Sequence, residues 1–457
     1  MKTTRLVSIF ISFLLLLVIV LPAYAQLGDT GASSFTVQNL TNSDVVVTVT
    51  FYDSSGSPTT PSQLDGNTPT TFPNPFTLSA RQARQVYVPN IPAAQLPPGE
   101  YSVVISSTGL IAAVSGIAGN GSIRFSGTYA GFSSSGTTAY LPSVVHDSSG
   151  FYSMISIMNV SSSPADVTVN IICTDSTTGT LSANDIPAMS SHTFDLTAET
   201  PTGFTSSTDC EGSAVITSDY DIVVIDNQND PTNGRTYSYS GSSTGSPTIY
   251  IPELTNDYFG WDSKLVIRKI GSGSTTVTID YSDSEPNDTC NLTDAMPFCS
   301  LNMDVVHPTT GIFGAKITSS SNDLVVMAGI LKPSTNAAGA YSGASGANSV
   351  EIPEVTKEYF GWNSSVTCQN VTGSAADTTL KLEYSGHSAY DDTEVLSDGE
   401  IIQYYVPNET FLNNGYIGGL KVTANNSSAL ISCIVGNNNP SKLSVTPGDW
   451  ALVFIAK

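Results

Sequence analysis

Basic residues are scarce in this sequence. Only 16 Lys and Arg residues stand against 39 Asp and Glu residues, and charged residues make up 12% of the chain. Nucleic acids and anionic lipids attract clustered Lys and Arg, so this balance argues against nucleic acid as a partner. Low charge can accompany disorder, but 40% of the residues are hydrophobic and fall into alternating runs. The composition therefore favours folded β structure.

Long apolar runs are also rare. One extends from Leu6 to Leu21, with Lys2 and Arg5 before it and the small residues Ala23 and Ala25 after it. This run is short for a bilayer span, and its flanks predict a secretory signal peptide cleaved after Ala25, with an uncleaved anchor as the alternative. No second run of spanning length follows, so we expect no membrane span in the mature chain. Cleavage would remove Lys2 and Arg5, so the mature chain would have a net charge of about −25.

Residue types that carry catalysis or bind transition metals are few and dispersed. The four histidines have neither metal-ligand nor triad spacing and are predicted to be ordinary surface or turn residues: His146, His192, His307 and His387. Gly241–Gly245 matches the G-x-S-x-G pattern of a nucleophile elbow, but no helical period follows, and Ser/Gly-rich loops produce this pattern by chance. We expect no enzyme activity and predict neither catalytic nor cofactor-binding residues.

A repeated stretch dominates what the sequence does contain. Ile251–Ser263 reads IPELTNDYFGWDS and Ile352–Ser364 reads IPEVTKEYFGWNS, with nine of thirteen positions identical. A more divergent third copy, LPSVVHDSSGFYS at Leu141–Ser153, keeps Pro142 and Gly150 at the same spacing. Self-similarity at a fixed period indicates a tandem array.

Each repeat also contains alternating runs of β-branched and polar residues, which predict half-buried strands: Val45–Tyr52, Asp166–Cys173, Ser274–Tyr281 and Asp377–Tyr384. Units of about 100 residues with frequent turn signals are typical of immunoglobulin-like β-sandwiches. We predict an all-β chain with a signal peptide at 1–25 and four such domains, at 26–139, 140–249, 250–350 and 351–457. The first domain lacks a lead strand, and the last ends in an apolar strand.

Further short motifs accompany the repeat: Phe35–Asn39 (FTVQN), Gly212–Ser218 (GSAVITS) and a closing Tyr-x-Gly at Tyr129, Tyr239 and Tyr341. Together with the L/I-P lead and the Gly-Trp pair, they resemble the tandem immunoglobulin-like repeat of secreted surface proteins from Chloroflexota-type bacteria. The resemblance covers the mature chain and implies an architecture and a location at the cell surface. The first unit departs from it by lacking the Ile-Pro lead, and the last by lacking Tyr-x-Gly.

The spacing between repeats is nearly constant. From each closing Gly to the next Pro there are 11, 11 and 10 residues. A flexible linker would be free to vary in length, so we expect docked neighbours and a semi-rigid rod. The sequence therefore predicts a secreted, non-catalytic structural protein: a stalk, a fibre or filament subunit, or an envelope component. Its partners would be its own subunits or other cell-surface components.

Aromatic residues cluster in two of the repeated loops: Tyr258, Phe259, Trp261, Tyr359, Phe360 and Trp362. They have two interpretations. The rings fill the junctions between neighbouring units, or they stack on sugars and make the protein a carbohydrate-binding adhesin. Burial of both tryptophans between units would favour the first interpretation, and an open groove lined by them would favour the second.

One acidic turn is a weak calcium candidate because its oxygen atoms stand at alternate positions, as Ca²⁺ ligands often do. Its residues are Asp283, Glu285, Asn287 and Asp288, and Asp226–Asp230 is a looser relative. Solvated acidic turns have the same appearance, so both interpretations stay open. No other cofactor is predicted.

Six cysteines in an exported chain predict three disulfides. Two cysteines fall in each of the last three units, which predicts the pairs Cys173–Cys210, Cys290–Cys299 and Cys368–Cys433. The last pair joins a strand from the front half of its unit to a strand from the back half, so we expect a bond that can cross between sheets.

The two chain ends differ from the repeat. Pro22 stands at the position of the lead Pro, so cleavage after Ala25 would remove most of the first lead strand and leave an open edge. The tail is apolar and includes Trp450, Leu452 and Phe454. It either closes the fourth unit itself or is donated to the next subunit as an added strand, which would build a filament.

Overall fold

The computed structural model describes residues 18–20, 31–64, 72–119, 126–283, 285–373, 377–439 and 451–455. The predicted all-β class is confirmed, since these residues form small antiparallel sheets. The described part contains one four-residue α-helix, α1 (Met303–Val306), and 3-10 turns at Val88–Asn90, Pro333–Thr335 and Val406–Asn408. No helix in these ranges is long and apolar enough to cross a membrane.

The first unit consists of two sheets. One has the order β1-β7-β3-β4, with β5 also on β3, and the other has the order β6-β2-β8-β9. The strands are β1 (Val18–Val20), β2 (Gly31–Asn39), β3 (Val45–Tyr52), β4 (Pro58–Thr59), β5 (Phe76–Leu78), β6 (Ala83–Tyr87), β7 (Ser102–Ser107), β8 (Ile111–Gly119) and β9 (Ser126–Ala130).

The second unit has the same two layers, but its long strand β15 runs through both and joins them into one sheet. The first part of β15 pairs with β10 and β12, and the last part pairs with β11 and β16. The strands are β10 (Gly136–His146), β11 (Tyr152–Asn159), β12 (Ala165–Cys173), β13 (Thr178–Ile186), β14 (Ser191–Asp195), β15 (Cys210–Asp230) and β16 (Arg235–Ser240).

The third unit has sheets in the orders β17-β22-β19-β20 and β21-β18-β23-β24. The strands are β17 (Thr248–Asn256), β18 (Asp262–Lys269), β19 (Thr275–Tyr281), β20 (Asp288–Leu292), β21 (Phe298–Asn302), β22 (Gly311–Ser319), β23 (Leu324–Lys332) and β24 (Ala337–Ser342).

The fourth unit repeats this plan as β25-β30-β27-β28 and β29-β26-β31-β32. The strands are β25 (Ser349–Lys357), β26 (Asn363–Asn370), β27 (Leu380–Tyr384), β28 (Tyr390–Asp391), β29 (Ile401–Tyr405), β30 (Tyr416–Ala424), β31 (Ile431–Asn438) and β32 (Ala451–Ile455).

Each unit buries an apolar core between its two layers, and each cluster also includes at least one residue of another unit. In the third unit, for example, Ile251 and Ile279 of one sheet share a cluster with Ile267 and Val326 of the other. The alternating runs explain this arrangement, because successive side chains of a strand point to opposite faces. In β19 the residues Val277, Ile279 and Tyr281 are buried while their neighbours are not.

The lead strands β10, β17 and β25 share an irregularity that arises from proline. Their pairing register shifts between Leu141 and Val144, between Ile251 and Leu254, and between Ile352 and Val355. Each interval contains the repeated Pro, which has no N–H to donate to the ladder and is therefore accommodated at a bulge. The residue after the Pro is thereby released from regular pairing.

The four units surround a common axis. Their last strands contact one another in a closed cycle, β9 with β16, β16 with β24, β24 with β32, and β32 with β9. At one level of this axis the Ser342 hydroxyl donates to the Ser240 carbonyl at 2.8 Å, and the Ser240 hydroxyl donates to the Ala130 carbonyl at 3.3 Å. The chain therefore closes into a ring in which unit 4 meets unit 1.

The predicted semi-rigid rod is wrong for this chain. The nearly constant spacers do lead from one unit to another unit in contact with it, as the sequence predicts. However, docking at every junction fixes an angle, and together these angles bring the fourth unit into contact with the first. The constant spacer length indicates that neighbouring units are in contact, but it does not determine the angle between them.

Each chain end takes a place that the repeat defines, the first as a lead strand and the second as a last strand. Most of the predicted signal peptide lies outside the described residues, but Val18–Val20 pairs with β7 where the other units have their lead strand. Trp450 also lies outside them. Strand β32 contains Leu452 and Phe454 and pairs with β31, so the tail closes the fourth unit in this structure. Donation to another subunit would require that pairing to break.

Candidate functional site at the junction of units 4 and 1

The junction between units 4 and 1, here called the seam, has the same plan as the junction between units 3 and 4. At the seam the Thr36 hydroxyl of unit 1 donates to the carboxyl of Glu354, the residue after the lead Pro of unit 4. At the preceding junction the Thr367 hydroxyl of unit 4 donates to the carboxyl of Glu253 of unit 3. The bulge at each Pro thus sends one glutamate into the neighbouring unit.

A glutamine also belongs to both junctions. The amide of Gln85 in β6 lies 3.5 Å from Glu354, and Gln403, its counterpart in β29, is a hydrogen-bond partner of Glu253. Burial raises the pKa of Glu253 and of Glu354, while these hydrogen bonds lower it. The two carboxyl groups are therefore easier to protonate than an exposed glutamate.

Glycine permits close contact at both junctions. A Cβ added to Gly419 would lie 2.4 Å from the amide nitrogen of Gln38 in unit 1. A Cβ added to Gly314 would lie 2.7 Å from the amide nitrogen of Gln369 in unit 4. A larger residue at either position would have to displace the neighbouring glutamine side chain.

Charged residues distinguish the seam from the junction between units 3 and 4. Arg81 of unit 1 lies 2.6 Å from the Glu351 carboxylate of unit 4, and Lys421 lies 3.6 Å from the same group. The Ser385 hydroxyl of unit 4 also donates to the Arg81 carbonyl at 2.7 Å. At the preceding junction Tyr250 stands where the seam has Glu351, one residue before the Ile-Pro pair. The seam, which joins the units most distant in sequence, thus has an ion pair there.

The junction between units 2 and 3 uses different side chains at the same place. Arg268 of unit 3 donates to the hydroxyl of Ser213 in unit 2, and Lys264 lies 2.9 Å from Glu211. Burial lowers the pKa of Arg268 to about 10. The repeat therefore conserves the position of contact while its chemistry changes.

The repeated aromatic loop has one backbone shape in three units. In each four-residue loop, the first, third and fourth residues have a left-handed backbone conformation. They are Asp147, Ser149 and Gly150 in unit 2, Asp257, Phe259 and Gly260 in unit 3, and Glu358, Phe360 and Gly361 in unit 4. A non-glycine residue in this region costs roughly 1–2 kcal/mol, so the surrounding structure must hold it. In the fourth unit the Asn363 side chain accepts from the Glu358 N–H at 2.9 Å.

This loop shape directs its phenylalanine into solvent. Phe259 is 74% exposed and Phe360 is 83% exposed. The unit 2 copy has Ser149 at that position, so the backbone does not need the ring. The two exposed rings are not part of any core.

The other aromatic residues divide between the two interpretations. The Tyr359 hydroxyl donates to Gln85 of unit 1 at 3.2 Å, so this ring does belong to a junction. Trp261 is half-buried against the core of its own unit, with the Lys332 amine 5.8 Å from the ring centre. Trp362 is also half-buried, and it lines a groove at the seam. Neither tryptophan is fully buried between units.

That groove, here called the seam groove, has a volume of about 580 Å³. Unit 4 contributes Tyr359, Phe360, Trp362, Glu354 and Asn437, and unit 1 contributes Gln85, Tyr87 and Asn90 together with small residues of β2 and β8. Aromatic faces and amide groups thus converge on one concave surface. Such a combination is typical of ligand pockets.

The calcium candidate is not assembled in the described residues. Asp283 lies 3.1 Å from His307, Glu285 accepts from Thr309, Asp288 accepts from Tyr281 at 2.7 Å, and Asn287 is exposed. Across the described ranges no group of three or more His, Cys, Asp or Glu residues is placed to hold a metal ion. The looser relative is not a turn, because Asp226–Asp230 is the end of β15.

Two of the histidines are not the surface residues that the sequence predicts. His146 and His307 are buried. The ring of His307 stacks on Phe313 at 3.7 Å, and His146 lies 2.6 Å from the Thr208 carbonyl. Both act as packing residues, and His307 also bonds through both ring nitrogens, to the Thr309 carbonyl and to the Asp283 carboxylate. Spacing alone does not reveal such an environment.

The structure joins Cys173 to Cys210, Cys290 to Cys299 and Cys368 to Cys433, the same three pairs that the sequence predicts. One expectation about them is wrong. Cys368 and Cys433 lie opposite each other in neighbouring strands of one sheet. The bond between sheets is Cys290–Cys299, which links β20 to β21. The position of a strand within its unit does not specify the sheet it joins.

Sequence analysis missed Thr36, Gln85 and the role of the repeated glutamate. A signal was present, since Glu253 and Glu354 both follow the repeated Pro, and Thr-x-Gln recurs at Thr36–Gln38 and Thr367–Gln369. A polar residue that recurs at one position of a β repeat is a candidate for contact between repeats.

Comparisons with known proteins add little. No protein-family model matches this sequence, and no curated protein matches it. The solved structure titled "Crystal Structure of Thermotoga maritima 1070" is 17% identical, with a TM-score of 0.19, over 22% of this chain and 95% of that one. A tetra-tandem repeat from the extending region of a large adhesion protein is 14% identical, with a TM-score of 0.12, over 96% of this chain and 97% of that one. Both scores are too low to support an argument about fold or function.

Proposed function

We propose that this chain is a secreted, non-catalytic cell-surface protein in which four immunoglobulin-like sandwiches form a closed ring. One observation carries the proposal: the Glu354 contact at the seam repeats the Glu253 contact between units 3 and 4. The three disulfides support an extracellular location, because such bonds persist in oxidising compartments.

A closed ring suits an envelope or surface component that displays loops, and it does not suit a stalk. A head-to-tail contact builds rings when its rotation closes and filaments when it does not. Here the fourth unit uses the first unit of its own chain, so this contact is satisfied within one molecule. Its partners would then bind through the outer loops, as other copies or other surface components.

Solution scattering and cell fractionation test this proposal. The mature chain is expected to scatter as a compact particle, and antibody against it is expected to label intact cells. A profile that requires an extended rod would overturn the ring. Protein confined to the cytoplasm would overturn the location.

A second candidate function is glycan binding as an adhesin, and it has its own observation. Phe360 is 83% exposed beside a groove that Tyr359 and Trp362 also line. An aromatic ring held in solvent beside a groove, at a position where serine takes the same backbone shape in unit 2, is a feature of ligand contact more than of core packing.

A further inference from the structure

We propose that the seam groove binds a neutral oligosaccharide and that this site exists only while the ring is closed. The proposal rests on the second candidate function and deepens it by assigning the site, the ligand class and the dependence on closure. The claim is specific to the seam and does not extend to the matching aromatic loop of unit 3.

The chemistry of the groove suits a sugar. Phe360, Trp362 and Tyr87 offer flat apolar faces against which the C–H face of a pyranose ring can pack. Asn90, Ser33 and Ser34 line the same groove with an amide and two hydroxyls, and such groups both donate to and accept from sugar hydroxyls. The amides of Gln85 and Asn437 also line it, but they already bond to Glu354. A volume of about 580 Å³ lies within the range of small-ligand pockets.

Charge selects a neutral ligand over an anionic one. The described residues that line the groove include no Lys, Arg or His. With the mature chain near −25 overall, an anionic polysaccharide would be repelled.

Charge also argues against a cationic ligand. Glu354 is the only carboxylate among the described lining residues, and it already accepts from Thr36. Burial raises its pKa, which weakens it as a fixed negative charge. An uncharged ligand that carries hydroxyls therefore fits the groove better than an ammonium group does.

One side chain beside the aromatic loop differs between units 3 and 4. In unit 3 the Lys332 amine lies over Trp261 at 5.8 Å from the ring centre. The register places Asn439 at the corresponding position of unit 4, where its side chain donates to the Phe360 carbonyl at 3.2 Å. A long cationic side chain covers one tryptophan, and a short amide supports the loop beside the other.

Closure is required because the two units contribute different parts. Unit 4 supplies Phe360 and Trp362, and unit 1 supplies Tyr87 and Asn90. A ligand that contacts both units binds the closed ring and not the open one. It therefore stabilises closure by mass action.

The first test measures binding of the mature chain to immobilised neutral oligosaccharides built from glucose, mannose, galactose, xylose and N-acetylglucosamine. At least one is expected to bind. Phe360→Ser and Tyr87→Ala are expected to weaken that binding at least about tenfold, the loss typical of removing one aromatic contact. Phe259→Ser, the same change in the unit 3 loop, is the matched control and should leave affinity unchanged.

These variants keep the test interpretable. Ser149 already occupies the corresponding left-handed position in unit 2, so serine is compatible with this loop. Phe360 contributes little to any core at 83% exposure. Circular dichroism and scattering of each variant verify that the ring is folded and closed before binding is compared.

A second measurement tests the dependence on closure. The bound oligosaccharide is expected to slow amide hydrogen exchange in β2 and β25 at the seam and to leave exchange in β10 and β18 unchanged. Equal protection at both junctions would overturn the assignment to the seam.

Several results would contradict the proposal. These are a compact, surface-located protein that binds none of the sugars, binding only to anionic polysaccharides, or an equal loss from Phe259→Ser and Phe360→Ser. Such results leave the closed ring and its surface location intact. An extended scattering profile would instead remove the ring itself, so the two failures are distinguishable.

Discussion

At the scale of residues, the repeated Ile-Pro-Glu is a small device for joining units. Proline interrupts the pairing of the lead strand, the bulge turns the next residue out of the sheet, and glutamate at that position reaches a threonine of the next unit. Ser143 occupies this position in unit 2 and bonds within its own unit instead. Its hydroxyl accepts a hydrogen bond from the Gln228 amide at 3.0 Å. The Pro thus fixes the geometry and the following residue determines the partner.

Asp226 makes stability dependent on pH. It is fully buried, and burial raises its pKa to about 7, although Ser153 and Gln228 donate to it. The pKa of Asp226 is higher in the folded chain than in the unfolded chain, so the neutral carboxyl contributes to folding stability. This stabilisation is complete below about pH 4 and is lost as pH rises towards 7. Asp226→Asn should therefore gain stability relative to the native chain by about 1.4 kcal/mol per pH unit across that window.

Chemical denaturation at several pH values measures this difference, with the exposed Asp44→Asn variant as the control. The difference should level off above about pH 7. A constant difference between pH 4 and 8 would show that the Asp226 carboxyl does not titrate in this window.

The ion pair at the seam makes a second prediction. Arg81→Met leaves the Glu351 carboxylate, whose side chain is 12% exposed, with Lys421 at 3.6 Å as its remaining ion-pair partner. We expect the seam to weaken by about 1–3 kcal/mol. Hydrogen exchange in β2 and β25 should then become faster.

Lys264→Met is the matched control, since it removes the partner of Glu211 at the junction between units 2 and 3. It should leave exchange at the seam unchanged. Pairing Arg81→Met with Glu351→Gln in a double-mutant cycle isolates the coupling between the two side chains. Full additivity would mean that the ion pair does not hold the seam.

At the scale of elements, the closing Tyr-x-Gly links the two layers of a unit. The Tyr341 hydroxyl donates to the Glu253 carbonyl, and the Tyr239 hydroxyl donates to the Ser143 carbonyl. Tyr239 and Tyr341 are therefore each tied to the bulge of their own lead strand. The motif and the Ile-Pro lead recur together because they are two ends of one contact.

The same register explains the departure of unit 4 from the repeat. In unit 4 Phe454 pairs with Val435, and at the equivalent position of unit 3 Tyr341 pairs with Ala328. Phe454 therefore stands where the repeat has its closing tyrosine. Strand β32 is thus the last strand of its unit even though the motif is missing.

Deleting Asp449–Lys457 tests that assignment. Loss of β32 should destabilise unit 4 and also open the axis, because β32 contacts both β24 and β9. Thermal unfolding should show a new low-temperature transition, and scattering should show a larger particle. A soluble, fully folded monomer that has only lost the ability to polymerise would instead support donation of this strand between subunits.

At the scale of the whole molecule, closure changes how the chain responds to a loose linker. In a rod, two neighbouring units are held in alignment only by the junction between them. In the ring, every unit has two neighbours, and the axis adds contacts among all four last strands. A single linker therefore contributes little to the shape.

A flexible Gly/Ser insertion after Gly343 tests this difference. We expect the radius of gyration and the unfolding temperature to stay close to those of the native chain, because the Glu253 and seam contacts remain. The same insertion combined with Arg81→Met should enlarge the particle more than either change alone. Bending caused by the insertion alone would argue for an open chain.

The sequence by itself determined the features that local chemistry controls. Alternation along Val45–Tyr52 and its counterparts predicted the strands, because side chains alternate between the faces of a sheet. Two cysteines in each of three units predicted their pairing. The repeated lead and its constant spacing predicted that neighbours dock.

Only the tertiary structure decided the features that depend on orientation. The angle at each junction makes the chain a ring where the sequence predicts a rod. This angle depends on contacts such as that of Glu354 with Thr36, which join sheets of different units that no local sequence pattern relates. The sheet partners of Cys368 and Cys433, the burial of His307 and the convergence of Tyr87 with Trp362 have the same origin. Each depends on residues brought together over long sequence distances, and the spacing of motifs along the chain does not encode those distances in space.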